Sequence, residues 1–173
     1  LLSESSQYKG MKIPSDTGKQ KRLLRTLMNI REPLPIGEEF QQVQDQYLRE
    51  EAEEKGIVNC EDLPVSRLDS RLALFKGDIT ILKADAIVNA ANSALRGCFV
   101  PCHGCIDNAI HSASGIQLRL ACDKLIKEQG HEEPAGRAKI TPAFNLPCSY
   151  VLHTVGPIVS GSLKETHCAQ LKS

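Results

Sequence analysis

Between residues 19 and 54 the apolar positions recur every three or four residues: Leu23, Leu24, Leu27 and Met28 form one group and Phe40, Val43, Tyr47 and Leu48 a second, with REPLPIG between them. That period belongs to amphipathic helices, and the proline-rich interruption predicts a turn joining two of them. Such a hairpin either packs its apolar stripe on the domain behind it or offers it to a partner or as a lid, and packing is the plainer reading. Residues 1–19 are polar, SDTG interrupts any helix there, and a loose leader is expected.

After GIVNCEDLP the period changes. Leu72, Leu74 and the run ITIL read as strands, and DAIVNAAN reads as a buried strand that ends in a small, polar loop. Further on, Ile106, Ile110, Ala113, Leu118, Cys122 and Leu125 are spaced to form one long helix over a core, with an irregularity near Gly115. EQGHEEPAGRA is a loop, SYVLHTVGP a second apolar strand closed by Gly-Pro, and a further helix begins at Leu163. Strand, helix, strand, helix is an α/β pattern with a largely parallel sheet. In such sheets ligands sit beyond the carboxyl ends of strands, which is where VNAANSALRGC lies.

Composition narrows the partners. The 173 residues suffice for one domain or one domain with an appendage, and 41% hydrophobic content supports a core. Lys plus Arg and Asp plus Glu both number 21, so no basic field draws the chain to nucleic acid or an anionic membrane. No stretch approaches the ~20 apolar residues that span a bilayer, and the amino terminus lacks a signal-peptide core, so a cytoplasmic location is expected. Seven scattered cysteines, an odd number, argue for reduced thiols over a secreted disulfide framework. The chain begins with Leu1 and stops in a helix-forming stretch with no Gly or Pro after it, from which a fragment is expected.

The densest chemistry is in GCFVPCHGCIDNAIH, residues 97–111, where Cys98, Cys102, His103 and Cys105 fall within eight positions. Buried thiols can simply pack. Cys102 and Cys105 form a C-x-x-C pair at a helix start, a redox arrangement that leaves Cys98 and His103 unused. Thiolate and imidazole are also the donors zinc prefers; four would close the site, three would leave a position for water or substrate. Spacing alone leaves these readings open.

Three further motifs carry a resemblance. GDIT at 77–80, DAIVNAANSAL at 85–95 and AKITPAFNLPCSYVLHTVGP at 138–157, in that order, resemble the macrodomain, the ADP-ribose-binding module. The insert at 97–111 is similar to the zinc-dependent branch of that family, whose members are linked to sirtuin-type ADP-ribosyltransferases and remove ADP-ribose from modified proteins; KRLLRTLMNIREPLPIGEEF resembles that branch's amino-terminal extension.

The resemblance implies a macrodomain-like sheet flanked by helices, divided as a leader (1–19), a helical extension (20–70) and the amino-terminal part of a macrodomain (71–173). It implies Zn2+ on Cys98, His103 and Cys105, with Cys102 a bystander. Asp78 would accept from the adenine amino group, assisted by the backbone N–H of Ile79, and Asn92 would hold the ribose that carries the modified group. Asp107 lines up with an aspartate near the scissile bond. Without the resemblance, Asp78 reads as a turn residue, Asn92 as a loop or cap residue, and Asp107 as a first-turn acid favoured by the helix dipole. His111 and His153 read as core residues. The implied activity is hydrolysis of an ADP-ribosyl ester on a protein carboxylate, against a reader that binds ADP-ribose without cleaving it and a redox or structural zinc module. One departure stands out: no glycine-rich diphosphate loop follows Pro157, for which IVSGS is too short and misplaced, and the sheet is expected to be half built, with an exposed edge.

Overall fold

A computed structural model of the chain describes residues 1–172. Helix α1 (Thr17–Ile30) starts where the Asp16 carboxylate accepts from the Lys19 amide at 2.8 Å, a standard N-cap. Helix α2 (Glu38–Lys55) opens with two glutamates at its positive end and stops at Gly56, φ +85°. The two form the expected hairpin, with Leu27, Met28 and Leu48 buried. The leader is docked rather than loose. The Glu4 carboxylate accepts from Arg31 Nε at 2.8 Å and from its Nη2 at 3.1 Å, and Arg31 also donates to the Leu34 and Pro35 carbonyls.

The segment from 66 to 78 forms no strand. Leu72 and Leu74 are exposed, and only an isolated bridge pairs Val65 with Ala73. In ITIL the Asp78 side chain caps a short 3-10 turn at Ile79–Ile81, leaving β2 (Leu82–Lys83) to pair in parallel with β1 (Val58–Asn59).

The main sheet holds β3 (Ala86–Ala91), β4 (Ala138–Pro142) and β5 (Tyr150–Val155) in the order β3-β5-β4. β3 runs parallel to β5, but β4 runs antiparallel to it, so the sheet is mixed rather than largely parallel. One face carries Ile87, Val151 and Thr141 in register and packs under α3 (Ile106–Ser114) and α4 (Ile116–Gln129). The single long helix expected there is two: Gly115, φ +99°, ends α3 and starts α4, a conformation costly for any residue with a Cβ. The core is Ile87, Leu95, Ile110, Leu118, Cys122, Ile126, Leu146, Val151 and Val155 among others. The opposite face places Val88, Leu152 and Ile140 in one row, with Val88 and Ile140 more than half exposed and Tyr150 beside them nearly so. Helix α5 (Glu165–Lys172) buries no residue. The result is an α/β arrangement, a mixed sheet flanked by helices, and no described helix is long and apolar enough to cross a membrane.

Candidate functional site

The loop between β3 and α3, at the carboxyl end of β3, holds the cysteine cluster. It is built tightly. Leu95 (φ +56°) anchors it in the core with no exposed surface, and Gly97 (φ +81°) passes so close to α3 that a Cβ would lie 2.7 Å from His111 Cγ. The donor atoms of Cys98, His103 and Cys105 all come within 4.8 Å of one another, with Cys98 Sγ 3.7 Å from His103 Nδ1. Cys105 is also the N-cap of α3, its sulfur accepting from the Asn108 amide at 3.4 Å; burial pushes its thiol up.

Cys102 faces the other way. Its sulfur lies 3.3 Å from Thr26 Oγ1 and donates to the Arg22 carbonyl at 3.6 Å, and its amide donates to Asn29 Oδ1 at 2.9 Å. Three donors therefore converge, and the fourth belongs to the contact with α1. Two thiols and an imidazole match the donor chemistry of zinc, and a trio leaves one tetrahedral position for water or substrate.

Asn92 and Asp107 sit beside the trio. The exposed Asn92 donates to the Gly97 carbonyl at 3.3 Å and to Asp107 Oδ2 at 3.5 Å, while its own oxygen accepts from the Ala94 amide. Asp107 is buried in the first turn of α3, and burial pushes its carboxyl up despite the hydrogen bond from Asn89 Nδ2 to Oδ1 at 2.8 Å. One carboxylate oxygen is thus tied down and the other turned toward Asn92.

Asp78 lies elsewhere. Its Oδ1 accepts from Thr80 N (2.9 Å) and Thr80 Oγ1 (2.7 Å), and its Oδ2 from Lys55 Nζ at 3.3 Å. It lines a cavity of about 540 Å3 between the hairpin and α3, together with Tyr47, Thr80, Cys102 and Ser112; neither Asn92 nor the three donors line it. Ile79 is half-buried against the core.

The reading of the sequence missed a polar network under the site. Asn89, the first Asn of NAAN, gives its amide protons to Asp107 and, at 3.1 Å, to His153 Nδ1, and His153 Nε2 is 2.9 Å from Thr141 Oγ1. His111 approaches Asp107 at 3.5 Å. Burial holds its pKa well below the ordinary imidazole value, so the ring is neutral and the contact is not an ion pair. His111, Cys122 and His153 form a second trio within 4.8 Å. Both His153 nitrogens already have partners in Asn89 and Thr141, and burial pushes the Cys122 thiol up to about 12, so in this arrangement the trio packs as neutral groups. The signal in the sequence is a polar residue within an apolar strand, Asn89 in β3 and His153 in β5, each with no exposed surface.

Residues 88–173 match the family model described as Macro domain. The chain is 56% identical over 173 residues to a protein-ADP-ribose hydrolase of Treponema medium, covering 99% of this chain and 66% of that protein. It is 46% identical over 135 residues to a protein-ADP-ribose hydrolase of Staphylococcus aureus (strain MSSA476), covering 78% of this chain and 50% of that protein. A Trypanosoma brucei macrodomain solved in complex with ADP-ribose superposes with a TM-score of 0.52 at 28% identity, covering 76% of this chain and 59% of that one. The chain thus spans between half and two thirds of the length of these relatives.

Proposed function

Because this chain carries a Macro domain and is homologous to protein-ADP-ribose hydrolases, we propose that it removes ADP-ribose from ADP-ribosylated proteins in the cytoplasm, and that its site holds Zn2+ on Cys98, His103 and Cys105. The observation that carries this reading is the convergence of those three donors within 4.8 Å, in the same loop that sets Asn92 against Asp107. The substrate is an Asp or Glu side chain esterified to the ribose, placed there by a sirtuin-type ADP-ribosyltransferase. Water cleaves the ester bond and leaves free ADP-ribose and the restored carboxylic acid.

Bound to the trio, Zn2+ supplies Lewis acidity toward a ribose hydroxyl or the oxygen of the scissile bond. The chain's own groups do the rest. The Asn92 amide can donate to one ribose hydroxyl and accept from its neighbour. Asp107, with Oδ1 fixed by Asn89, presents Oδ2 to the water that attacks, and a carboxylate in a desolvated position is a stronger base than one in water. Asp78 and the backbone N–H of Ile79 receive the adenine, with the Asp78 carboxylate exchanging Lys55 for the exocyclic amine.

The test compares the parent chain with Cys98→Ala, His103→Ala and Cys105→Ala for release of ADP-ribose from a protein modified by such a transferase. Each variant is expected to lose activity along with bound zinc, while Cys102→Ala keeps both. Release at the parent's rate by the three variants refutes the zinc reading. Calorimetric binding of ADP-ribose without release by the parent makes the module a reader instead.

A further inference from the structure

We propose that helix α1 is part of the zinc site, with Arg25 a positioning residue that braces the donor loop, holding His103 directly and Asn108, which contacts Cys98 and Cys105, beside it. The inference rests on reading Cys98, His103 and Cys105 as the ligands, and it concerns what sets their geometry.

Arg25 Nη2 donates to Asn108 Oδ1 at 2.7 Å and to the His103 carbonyl at 3.2 Å, and its Nε donates to the same Asn108 oxygen at 3.3 Å. Asn108, with no exposed surface, uses its other groups on the remaining donors. Its Nδ2 donates to the Cys98 carbonyl at 3.4 Å and the Val100 carbonyl at 3.0 Å, and its backbone N–H donates to Cys105 Sγ. The guanidinium therefore reaches His103 directly and the Cys98 carbonyl through the buried side-chain amide of Asn108, whose backbone N–H meets Cys105. Its planar fork suits the task, because Nε and Nη2 are held in one fixed, spread geometry, whereas an ammonium on a flexible stem presents its three donors from a single point.

The rest of α1 supports the same contact. Thr26 and Asn29, the next positions on that face, hold the sulfur and amide of Cys102, which sits at φ +49°, a strained conformation for a residue with a Cβ. Burying such a polar helix face is unfavourable unless its groups are paired, and here they are paired with the loop. The carboxyl end of α1 is fixed in turn by Arg119 from α4. That side chain donates to the Met28, Asn29 and Arg31 carbonyls and to the Arg96 carbonyl, and lies 4.1 Å over the Phe99 ring of the loop. A loop of eight residues that carries three ligands loses affinity to the cost of ordering it; α1 meets that cost before the ion arrives. Groups that orient ligands in this way typically change metal affinity by about 10–100-fold when removed.

The experiment measures zinc affinity by competition with a chromophoric chelator, and the electronic spectrum after loading with Co2+, for the full chain and four variants. Arg25→Ala is expected to weaken zinc binding about 10–100-fold and to shift or weaken the thiolate-to-cobalt bands. Arg25→Lys should fall between Ala and parent, and decides the matter if the Ala variant melts early by circular dichroism. Arg22→Ala, which removes the same charge from the same helix, leaves affinity and spectrum unchanged. If Cys98→Ala abolishes binding but Arg25→Ala and Arg25→Lys bind and absorb like the parent, the role of α1 is refuted and the zinc reading stands. If Cys98→Ala binds as the parent does, the zinc reading fails and this inference with it.

Discussion

Lowering the pH from about 7.5 to about 4 puts a charge on an imidazole that the core has arranged to keep neutral. His153 has no exposed surface. Its Nδ1 faces the Asn89 side-chain nitrogen at 3.1 Å, and that nitrogen also donates to Asp107, so Nδ1 is the acceptor and Nε2 carries the proton toward Thr141 Oγ1 at 2.9 Å. Burial penalises the charged ring and lowers its pKa from 6.5 to about 4; a proton on Nδ1 would in addition face the Asn89 donor. Folding thus favours the neutral form. Its contribution is complete above about 6.5 and drains away as pH falls toward about 4, and a gap of that size is worth about 3 kcal/mol. His111, buried with no hydrogen-bond partner on either nitrogen, shifts in the same direction and steepens the loss. Cys122, 3.7 Å from His153 Nε2, stays protonated throughout. Asp107, whose carboxyl is pushed up, opposes the trend over its own range. Glu4 and Asp45 are held below their ordinary values of 4.5 and 3.8, so their losses come at still lower pH. Urea unfolding followed by far-ultraviolet circular dichroism should show the midpoint falling by about 1–3 M across this window, for a urea dependence of about 1–3 kcal/mol per molar. A midpoint that is the same at both ends, or a His153 resonance that titrates near 6.5 by NMR, refutes the reasoning.

Two substitutions probe the loop and its anchor. Gly97→Ala forces a Cβ to within 2.7 Å of the buried His111 ring at φ +81°, and the conformational and overpacking costs together predict a loss of about 2–5 kcal/mol; an unchanged urea midpoint would show that the loop does not sit where described. Arg119→Lys keeps the charge but loses the separate Nε donor to the Arg96 carbonyl and the planar group over Phe99, so a loss of about 2–3 kcal/mol is expected, visible as an earlier thermal melt, and a parent-like melt would deny Arg119 that role.

The hairpin and strands β3 and β5 were legible because each is specified by its own stretch of sequence, a helical stripe in one case and short apolar runs in the other. Strand β4 was not, since Lys139 and Pro142 interrupt its alternation and its pairing with β5 is decided by the neighbour. Leu72 and Leu74 resemble strand residues but meet no partner strand, and Asp78 turns the ITIL run into a 3-10 turn. For the site, the spacing of Cys98, Cys102, His103 and Cys105 left packing, redox and zinc readings open, and only the resemblance singled out three of them; the direction Cys102 takes is set by Thr26 and Asn29, 76 and 73 residues away. The network from Asp107 to His153 crosses 64 residues between Asn89 and the imidazole. Contacts of that range leave no periodic trace in a sequence.

The row of Val88, Leu152 and Ile140, with Tyr150 alongside, gives the native chain an oily patch that environment-sensitive dyes such as anilinonaphthalene sulfonate will find. Fluorescence of that kind, the usual mark of loosened packing, will be bright before any unfolding occurs. Dye-based thermal scans of this protein will therefore start from a raised baseline, and a glowing sample is no sign of a damaged one.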